Sequence, residues 1–372
     1  MKILILTISA GQGHHQTAAA MENYFLEAGE SCRVLDAYKY ISPILSDSVE
    51  KSYLLSTQYT PKMYGSIYKA AEHKKPRRGF SFWSFTNGIM GRKLQSYIED
   101  YNPDVVICTH IFSALAMTYM APAFPNAINI GIITDFTVHP FWEDTELDYY
   151  VTASHLLTRQ CVKKGIPEEK VLPFGIPIHK KFSNSMDKAE ARELLGISDK
   201  TTFLIMMGSM GYGNVGKLVK RMDTIDFDFQ ILCVCGRNMR AKRNIDTMKT
   251  AHDLYSYGFV DNVDVMMDAA DFIVTKPGGL SMSEVLTKGL PAILVNPIPG
   301  QEDRNLDFFL NNGLAMHVSS TFPIDEAVFQ LLSNKWKAKY APGASRYFAK
   351  VDSAKQLGDF VLALKKHDEK DE

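Results

Sequence analysis

The chain is poor in cysteine, has no long apolar run, and carries charges that nearly cancel. Its 372 residues include five cysteines, an odd number without a Cys-x-x-Cys pair, which disfavours a disulfide framework and a zinc knuckle. A formal net charge of -1 argues against a general nucleic-acid binder. No stretch approaches the roughly 18 apolar residues that span a bilayer. We therefore expect a cytoplasmic protein that is neither secreted nor transmembrane.

What the sequence does contain is a repeated alternation of short apolar strands with helical segments, which is typical of parallel sheets covered by helices in α/β folds. The chain also exceeds the usual size of a single core. The predicted strands are Lys2–Ile8, Arg33–Asp36, Asp104–Thr109, Ala127–Thr134, Tyr149–Thr152, Thr201–Met207, Phe229–Cys235, Tyr255–Gly258, Phe272–Thr275, Ala292–Val295 and Ala315–Val318.

The pattern restarts after a stiff connector, Pro173–His179, whose prolines and glycine suit a linker. We therefore predict two doubly wound Rossmann-like domains that face each other across a cleft. The first comprises residues 1–180 and the second residues 181–343. A C-terminal helix at 344–366 is expected to pack back on the first domain.

A glycine-rich loop follows the first strand and leads into a helix. It contains Gly11 and Gly13, followed by His14 and His15. Glycines at such a turn let the backbone approach a ligand, and an imidazole there can move a proton near neutral pH. A histidine in this position can also simply cap the helix.

The most specific signal lies after the strand that ends at Thr275. Lys276-Pro277-Gly278-Gly279-Leu280-Ser281 forms a turn into a helix, where unpaired amides and the helix dipole favour an anion such as a diphosphate. Glu284, one turn further along, is a candidate to accept hydrogen bonds from ribose hydroxyls, or is a solvated helix residue. A second polar turn, Asn296–Asn305, carries the amide and carboxylate groups that recognise sugars, or only begins a helix.

Together these motifs resemble the donor site of GT-B glycosyltransferases, in the group that holds diacylglycerol glycosyltransferases and the peptidoglycan lipid II synthase. The Gly11–His14 loop and Thr134–Trp142 are more similar to monogalactosyldiacylglycerol synthase and processive diacylglycerol glucosyltransferase. The resemblance spans nearly the whole chain. It implies a GT-B fold and a UDP-sugar donor bound in the second domain.

The resemblance assigns a role to each donor residue. Phe259 and Val260 are expected to hold uracil through their backbone, and Glu284 the ribose. Gln301 and Glu302, with Asn305 in support, are expected to hold sugar hydroxyls. The residues expected at the diphosphate and in the rest of the donor site are Gly208, Ser209, Met210, Gly211, Lys276, Gly278, Gly279, Leu280, Ser281 and Gly300.

On the acceptor side the resemblance points to Asp135 and His14, and the sequence leaves open which of them is the base. Asp135 follows an apolar strand, where it can also serve as a helix cap or an Asx turn. His139 and Trp142, with Gly11 and Gly13, complete the expected acceptor side.

Four basic residues precede four aromatic ones in the first domain, a pattern that suits an anionic membrane surface or a solvated loop beside core aromatics. They are Lys74, Lys75, Arg77, Arg78, Phe80, Phe82, Trp83 and Phe85. A peripheral protein at the inner face of the cell membrane is therefore expected.

The implied activity is inverting transfer of glucose or galactose from a UDP-sugar to diacylglycerol, with anionic lipid as a partner. Two alternatives are transfer of N-acetylglucosamine to an undecaprenyl-linked intermediate and non-catalytic binding of a nucleotide sugar. No metal or other cofactor is expected. Asp226 and Asp228 have the spacing of a metal pair, but they precede a strand, whereas a diphosphate site lies at a strand's exit.

Overall fold

The computed structural model describes residues 1–9, 12–42, 89–211, 213–333 and 343–368. Gly11 and the whole basic and aromatic segment from Lys74 to Phe85 lie outside the described residues. The chain divides into two compact units. The first unit comprises Met1–Lys180, Ile298–Gln301 and Asp352–Glu372, and the second comprises Lys181–Pro297 and Glu302–Val351.

The first unit is built on a six-stranded parallel sheet in the order β2-β1-β3-β4-β5-β6. Its strands are β1 Lys2–Thr7, β2 Ser31–Asp36, β3 Val105–Cys108, β4 Ile128–Ile132, β5 Tyr149–Val151 and β6 Val171–Leu172. Within residues 1–180 of this unit, the described helices are α1 Gln12–Glu27, α2 Ala37–Ile41, α3 Ile89–Tyr101, α4 Ile111–Met120 and α5 Thr158–Lys163. Short 3₁₀ helices lie at Ala121–Ala123, Pro140–Asp144, His155–Leu157 and Glu168–Lys170.

The second unit is built on another six-stranded parallel sheet, in the order β12-β11-β10-β7-β8-β9. Its strands are β7 Thr202–Met206, β8 Gln230–Val234, β9 Asp253–Tyr257, β10 Phe272–Thr275, β11 Ala292–Leu294 and β12 Ala315–His317. Its helices are α6 Lys188–Leu195, α7 Val215–Met222, α8 Met239–Asp246, α9 Val263–Ala269, α10 Gly279–Lys288, α11 Glu302–Asn311, α12 Ile324–Ser333 and α13 at residues 343–348. A 3₁₀ turn at Lys180–Phe182 leads into it.

The strands of both sheets are continuous apolar runs because helices cover both faces of each sheet. Ile3, Ile5, Val105 and Ile107 are fully buried in the first core. Phe203, Phe229 and Phe272 pack ring against ring in the second core, with centroids 4.9 and 5.3 Å apart.

The chain returns to the first unit at its C-terminal end through α14, Ser353–Asp368. Leu357 and Val361 are buried in the first core, and the Phe360 ring meets Tyr149 edge to face at 4.9 Å. The predicted single helix at 344–366 is two helices, since residues 349–352 are not helical. Within the second unit, Ser183 Oγ donates a hydrogen bond to the carbonyl oxygen of Val351 at 2.7 Å.

In each sheet the strand order reverses direction beside its first strand. The reversal falls between β1 and β3 in the first sheet and between β7 and β10 in the second. Ligands of open α/β sheets bind at the carboxyl ends of the strands at such a switch point. The two switch points therefore mark where each unit is built to hold a ligand.

Candidate active site

The first switch point holds His14, which lies in the first turn of α1 directly after the β1 loop. Its Nδ1 lies 2.8 Å from the carbonyl oxygen of Thr109, at the end of β3, and 3.1 Å from Thr134 Oγ1, beyond β4. A carbonyl oxygen only accepts, so Nδ1 carries the hydrogen and Nε2 bears the lone pair. His14 is therefore fixed as a proton acceptor by the ends of two neighbouring strands.

The environment of His14 keeps it neutral. Burial lowers its pKa to about 4, against the raising effect of the Thr109 carbonyl and with a smaller lowering effect of His15. The His110 ring lies edge to face with it, with centroids 4.5 Å apart. Burial also lowers the pKa of His110 well below its ordinary value, aided by His14 and His139.

His15 makes a different set of contacts, with Ser9 and Asp36. Its Nε2 lies 3.1 Å from Ser9 Oγ and 3.4 Å from Asp36 Oδ2, and Ser9 donates to the same carboxylate. Asp36 in turn caps α2 by accepting from the Lys39 backbone N–H at 2.9 Å. Gly13, partly exposed in the first turn of α1, lies between the anchored Ser9 and His14.

Asp135 lies three residues beyond β4, half-buried. Its Oδ2 accepts a 3.0 Å hydrogen bond from Gln301 Nε2, a residue that belongs to the same unit. His139, and not Asp135, caps the following 3₁₀ helix, because its Nδ1 accepts from the Phe141 N–H at 3.1 Å.

Trp142 does not occupy the position expected of it. It is only 4% exposed, and an added Cβ at Gly131 would come within 2.8 Å of its ring. Its ring also meets Tyr150 edge to face at 6.1 Å. The expectation of a lipid or acceptor contact at Trp142 is therefore wrong, because the side chain fills the space above β4, whereas the neighbouring Phe141 is 36% exposed.

The second switch point holds the glycine loop after β7 and the turn after β10. Gly208 and Gly211 have φ of +76° and +60°, and the Gly211 N–H donates to the Gly208 carbonyl at 3.0 Å. A Cβ at Gly211 would clash with the carbonyl oxygen of Cys235. The backbone carbonyl oxygen of Ser209 accepts a hydrogen bond from the Arg237 N–H at 2.8 Å. The Met210 side chain is 36% exposed.

Helix α10 begins at the turn after β10 without a side-chain cap at Gly278. Pro277 and Gly279 are buried, while Gly278, Leu280 and Ser281 are partly exposed. The first amides of a helix have no partner within it, and the helix dipole adds positive potential there. This turn therefore has the electrostatics of an anion site.

Two charged groups stand beside that turn. Lys276 Nζ lies 3.0 Å from Glu302 Oε1, with side chains 14% and 10% exposed. A Cβ at Gly208 would lie 3.9 Å from Lys276 Cε, and one at Gly278 would lie 3.8 Å from Glu302 Oε1. The structure thus brings both glycine turns and this ion pair together within the second unit. Gly300, with φ of +97°, precedes the pair of residues Gln301 and Glu302.

Asn305 lies beneath the turn that precedes α10. It is fully buried, and its Nδ2 donates to the Pro277 carbonyl at 3.0 Å. It holds the turn before α10, as a supporting residue would.

Glu284 lies one helical turn into α10 and is half-buried. Burial raises its pKa to about 8, against a lowering effect of Lys181 and with a further raising effect of Asp264. A ligand that donates hydrogen bonds to this carboxyl would stabilise its charged form, which burial disfavours. Beyond β9, Phe259 is 59% exposed, with the Arg237 guanidinium 5.5 Å from its ring centroid, and Val260 follows it outside the strand ladder.

Asp226 and Asp228 are exposed at the amino end of β8, and Asp228 lies 3.2 Å from Lys200. Within the described ranges no group of three or more His, Cys, Asp or Glu residues is arranged to hold a metal ion. Over the same part of the chain, no helix has the length and apolar character needed to cross a membrane.

Comparison with known proteins agrees with this arrangement. Residues 14–178 match the family described as monogalactosyldiacylglycerol (MGDG) synthase, and residues 202–356 match the glycosyltransferase family 28 C-terminal domain. Among solved structures, the fold is similar to MurG of Acinetobacter baumannii (TM-score 0.65, 14% identity, 97% of this chain and 99% of that chain). It is also similar to the calicheamicin glycosyltransferase CalG4 (TM-score 0.65, 11% identity, 98% of each chain). The protein is a glycosyltransferase of the GT-B fold.

Relatives of established name identify the family of glycosyltransferases to which the chain belongs. The processive diacylglycerol beta-glucosyltransferase of Bacillus pumilus is 30% identical over 347 residues, covering 90% of this chain and 88% of the relative. The Bacillus mycoides protein of the same name is 28% identical over 369 residues, covering 97% and 93%. The chain belongs to the diacylglycerol glycosyltransferase family.

Three residues of the site were not singled out from the sequence: His110, Thr134 in its contact with His14, and Arg237. Each lies just beyond the carboxyl end of a buried strand. Ligands of open α/β sheets bind at the carboxyl ends of the strands. Inspection of the polar residues that follow each predicted strand would therefore have identified these three.

Proposed function

We propose that the protein transfers glucose or galactose from a UDP-sugar to the hydroxyl of diacylglycerol at a membrane surface, with inversion to a β-glycoside. The observation that carries the proposal is His14, neutral and fixed with its Nε2 lone pair available at the first switch point. The names of the relatives, diacylglycerol beta-glucosyltransferases, supply the acceptor class. The structurally similar UDP-GlcNAc 2-epimerase of Neisseria meningitidis, solved with UDP-GlcNAc (TM-score 0.62, 15% identity), is consistent with this fold holding a nucleotide sugar.

The donor is assigned to the second unit. The diphosphate lies against the first amides of α10 and near Lys276, which stabilise part of its negative charge. Glu284 accepts the ribose hydroxyls, and the backbone of Phe259 and Val260 holds the uracil. Glu302 faces sugar hydroxyls while its pairing with Lys276 keeps its charge compensated.

His14 is proposed as the base and Asp135 as a residue that holds Gln301. Asp135 Oδ2 already accepts a hydrogen bond from the Gln301 amide, whereas the neutral His14 ring keeps a lone pair at Nε2. Because the His14 pKa is about 4, the base is in its active form throughout the neutral range.

The reaction follows from these roles. His14 Nε2 takes the proton of the acceptor hydroxyl as its oxygen bonds to the anomeric carbon. The bond from that carbon to the diphosphate oxygen breaks, and its electron pair leaves with UDP. Attack opposite the leaving group converts an α-linked donor into a β-linked product, and the α10 amides stabilise the departing charge.

No divalent ion has a step in this proposal, in which the amides of α10 and Lys276 are the groups that stabilise the diphosphate. The segment from Lys74 to Phe85 is proposed to bind anionic lipid, which recruits the protein to the membrane or activates it there. Basic residues contribute about 1 kcal/mol each near an anionic surface, so both effects weaken as salt rises.

The test is a donor panel with mass analysis of the lipid product. The protein is incubated with UDP-glucose, UDP-galactose or UDP-N-acetylglucosamine and with diacylglycerol in vesicles with or without anionic phospholipid, each with and without EDTA. Glycosyldiacylglycerol from the glucose or galactose donor, insensitive to EDTA, supports the proposal, and the mass gives the number of sugars added.

Absence of glycolipid with both hexose donors would overturn the assignment. Product only with UDP-N-acetylglucosamine and an undecaprenyl-linked acceptor would replace it. UDP-sugar binding without any turnover would indicate a non-catalytic binding protein. Stimulation by anionic vesicles that disappears in high salt would support recruitment by the basic segment.

A further inference from the structure

His110 is a nearly buried polar side chain beside the proposed base that the mechanism does not yet use. It follows β3 and is 9% exposed. Its Nδ1 accepts the Phe112 backbone N–H at 3.1 Å, which caps α4. Its ring lies 4.5 Å from the ring of His14, centroid to centroid.

The cap determines the tautomer of His110. A backbone N–H only donates, so Nδ1 holds a lone pair, and the hydrogen of the neutral ring is on Nε2. The described part of the chain provides no hydrogen-bond acceptor for that Nε2–H. Since Nε2 is not one of the fully buried, unpartnered side-chain atoms of the described residues, it is open to a ligand or water that accepts from it.

The two adjacent histidines therefore have opposite hydrogen-bonding character. His14 offers a lone pair at Nε2 because its Nδ1–H donates to Thr109. His110 offers an N–H at Nε2 because its Nδ1 accepts from Phe112. The pair suits a ligand that presents a hydroxyl next to a group that only accepts.

Diacylglycerol has this pattern, since its single hydroxyl lies on a carbon next to one that carries an ester, whose carbonyl accepts and cannot donate. Aromatic rings adjoin the pair: Phe112 lies 5.2 Å from His110 and 6.4 Å from both Tyr38 and the partly exposed Phe141, centroid to centroid. Such rings favour contact with the apolar part of a lipid.

We propose that His110 Nε2–H binds an ester carbonyl of the acceptor lipid and so holds the neighbouring hydroxyl against His14. His110 is then a specificity residue that selects glycerol esters over glycerol ethers. This inference rests on the proposed function and adds the feature of the acceptor that the site recognises.

Two variants separate binding from capping. In His110→Asn, the side-chain oxygen replaces Nδ1 as the cap, for which Asn is well suited, but nothing reaches the position of Nε2. In His110→Gln, the longer amide restores an N–H near that position and gives up the cap. A purely structural role predicts that the Asn variant behaves as wild type and the Gln variant is impaired.

The experiment measures kcat/KM for a diacylglycerol and for the dialkylglycerol ether of equal chain length, in the same vesicles, together with thermal unfolding. Wild type is expected to prefer the ester by about 3- to 10-fold, the value of one neutral hydrogen bond. His110→Asn is expected to lose the preference at unchanged Tm. His110→Gln is expected to keep it at lower Tm.

Equal use of ester and ether by wild type overturns the inference, as does a retained preference in His110→Asn. If His110→Gln does not fold, the comparison of His110→Asn with wild type decides the matter. Failure of wild type to glycosylate either lipid instead contradicts the proposed function, so the two failures are distinguishable.

Discussion

Gln301 Nε2 donates a 3.0 Å hydrogen bond to Asp135 Oδ2 across 166 positions of sequence. Gln301 comes from the turn expected to hold the donor sugar, and Asp135 from the loop expected to serve the acceptor. The segment Ile298–Gln301 nevertheless belongs to the first unit, while the next residue, Glu302, belongs to the second. Asp135 therefore accepts a hydrogen bond from an amide that is distant in sequence but belongs to the same unit.

Replacing Gln301 by Glu is expected to lower kcat/KM about tenfold at pH 8, because two carboxylates then face each other at hydrogen-bonding distance. Lowering the pH toward 5 should restore part of the activity, since the shared site then binds a proton. Steady-state kinetics over this range check it. Gln301→Met is the control: it lacks the donor and the charge, so its loss should be smaller and nearly independent of pH.

His14→Asn is expected to reduce turnover by about 10²-fold or more, the usual contribution of a general base. The Asn amide can still donate to the Thr109 carbonyl, so the loop should stay folded. UDP affinity, measured by calorimetry, should be unchanged because the proposed donor residues belong to the second unit. Turnover near wild type in this variant would contradict the assignment of the base, and Asp135→Asn would then be the next variant to assay.

UDP binding is expected to strengthen as the pH rises through about 8. The pKa of Glu284 is raised to about 8 mainly by burial, and ribose hydroxyls favour its charged form. Below that pH, binding should release a proton, which calorimetry in buffers of different ionisation enthalpy detects. Glu284→Gln should bind UDP more weakly at pH 9 and show neither the pH dependence nor the proton release.

The same group is expected to lower stability at high pH. Its folded-state pKa lies above the ordinary value of 4.5, so the protonated form is favoured in the fold, and the stability this brings is lost as the pH rises through about 8. Glu284→Gln should therefore raise Tm relative to wild type at pH 9 by a few degrees. The two proteins should unfold at similar temperatures at pH 5. A lower Tm for the variant at pH 9 would mean that Glu284 is not a desolvated carboxyl.

Gly211→Ala is expected to abolish UDP binding, because the new Cβ would clash with the Cys235 carbonyl and displace the loop after β7. Gly196→Ala is the matched control. Gly196 also has a positive φ, +67°, but a Cβ there meets nothing within 4 Å. It should cost only the left-handed backbone strain, about 1–2 kcal/mol, and leave UDP affinity intact. Equal effects of both changes on affinity would contradict a ligand role for the loop.

The sheets were predictable because buried parallel strands are continuous apolar runs bounded by turn residues. Every predicted strand is present within a few residues of its expected ends. The strand β6, Val171–Leu172, was missed because two residues carry no periodicity. It is recognisable only from its pairing with Tyr150 and Val151.

The candidate site was predictable at the level of loops and less so at the level of side chains. Position after a strand identifies His14, Asp135 and Lys276, since strand ends converge at a switch point. Trp142 shows the limit: it lies in a motif of the expected kind, but its ring packs above Gly131. Which way a side chain points depends on packing partners far away in sequence.

The hydrogen bond from Ser183 to Val351 brings the third and the last residues of the second unit side by side. A segment whose two ends meet can be exchanged through only two nearby junctions. Residues 181–351, which carry with them the first-unit segment Ile298–Gln301, therefore form a cassette that can be replaced by the corresponding region of a relative with a different sugar preference. In such a chimaera the sugar transferred should follow the cassette, and the choice of lipid should follow the remainder of the chain.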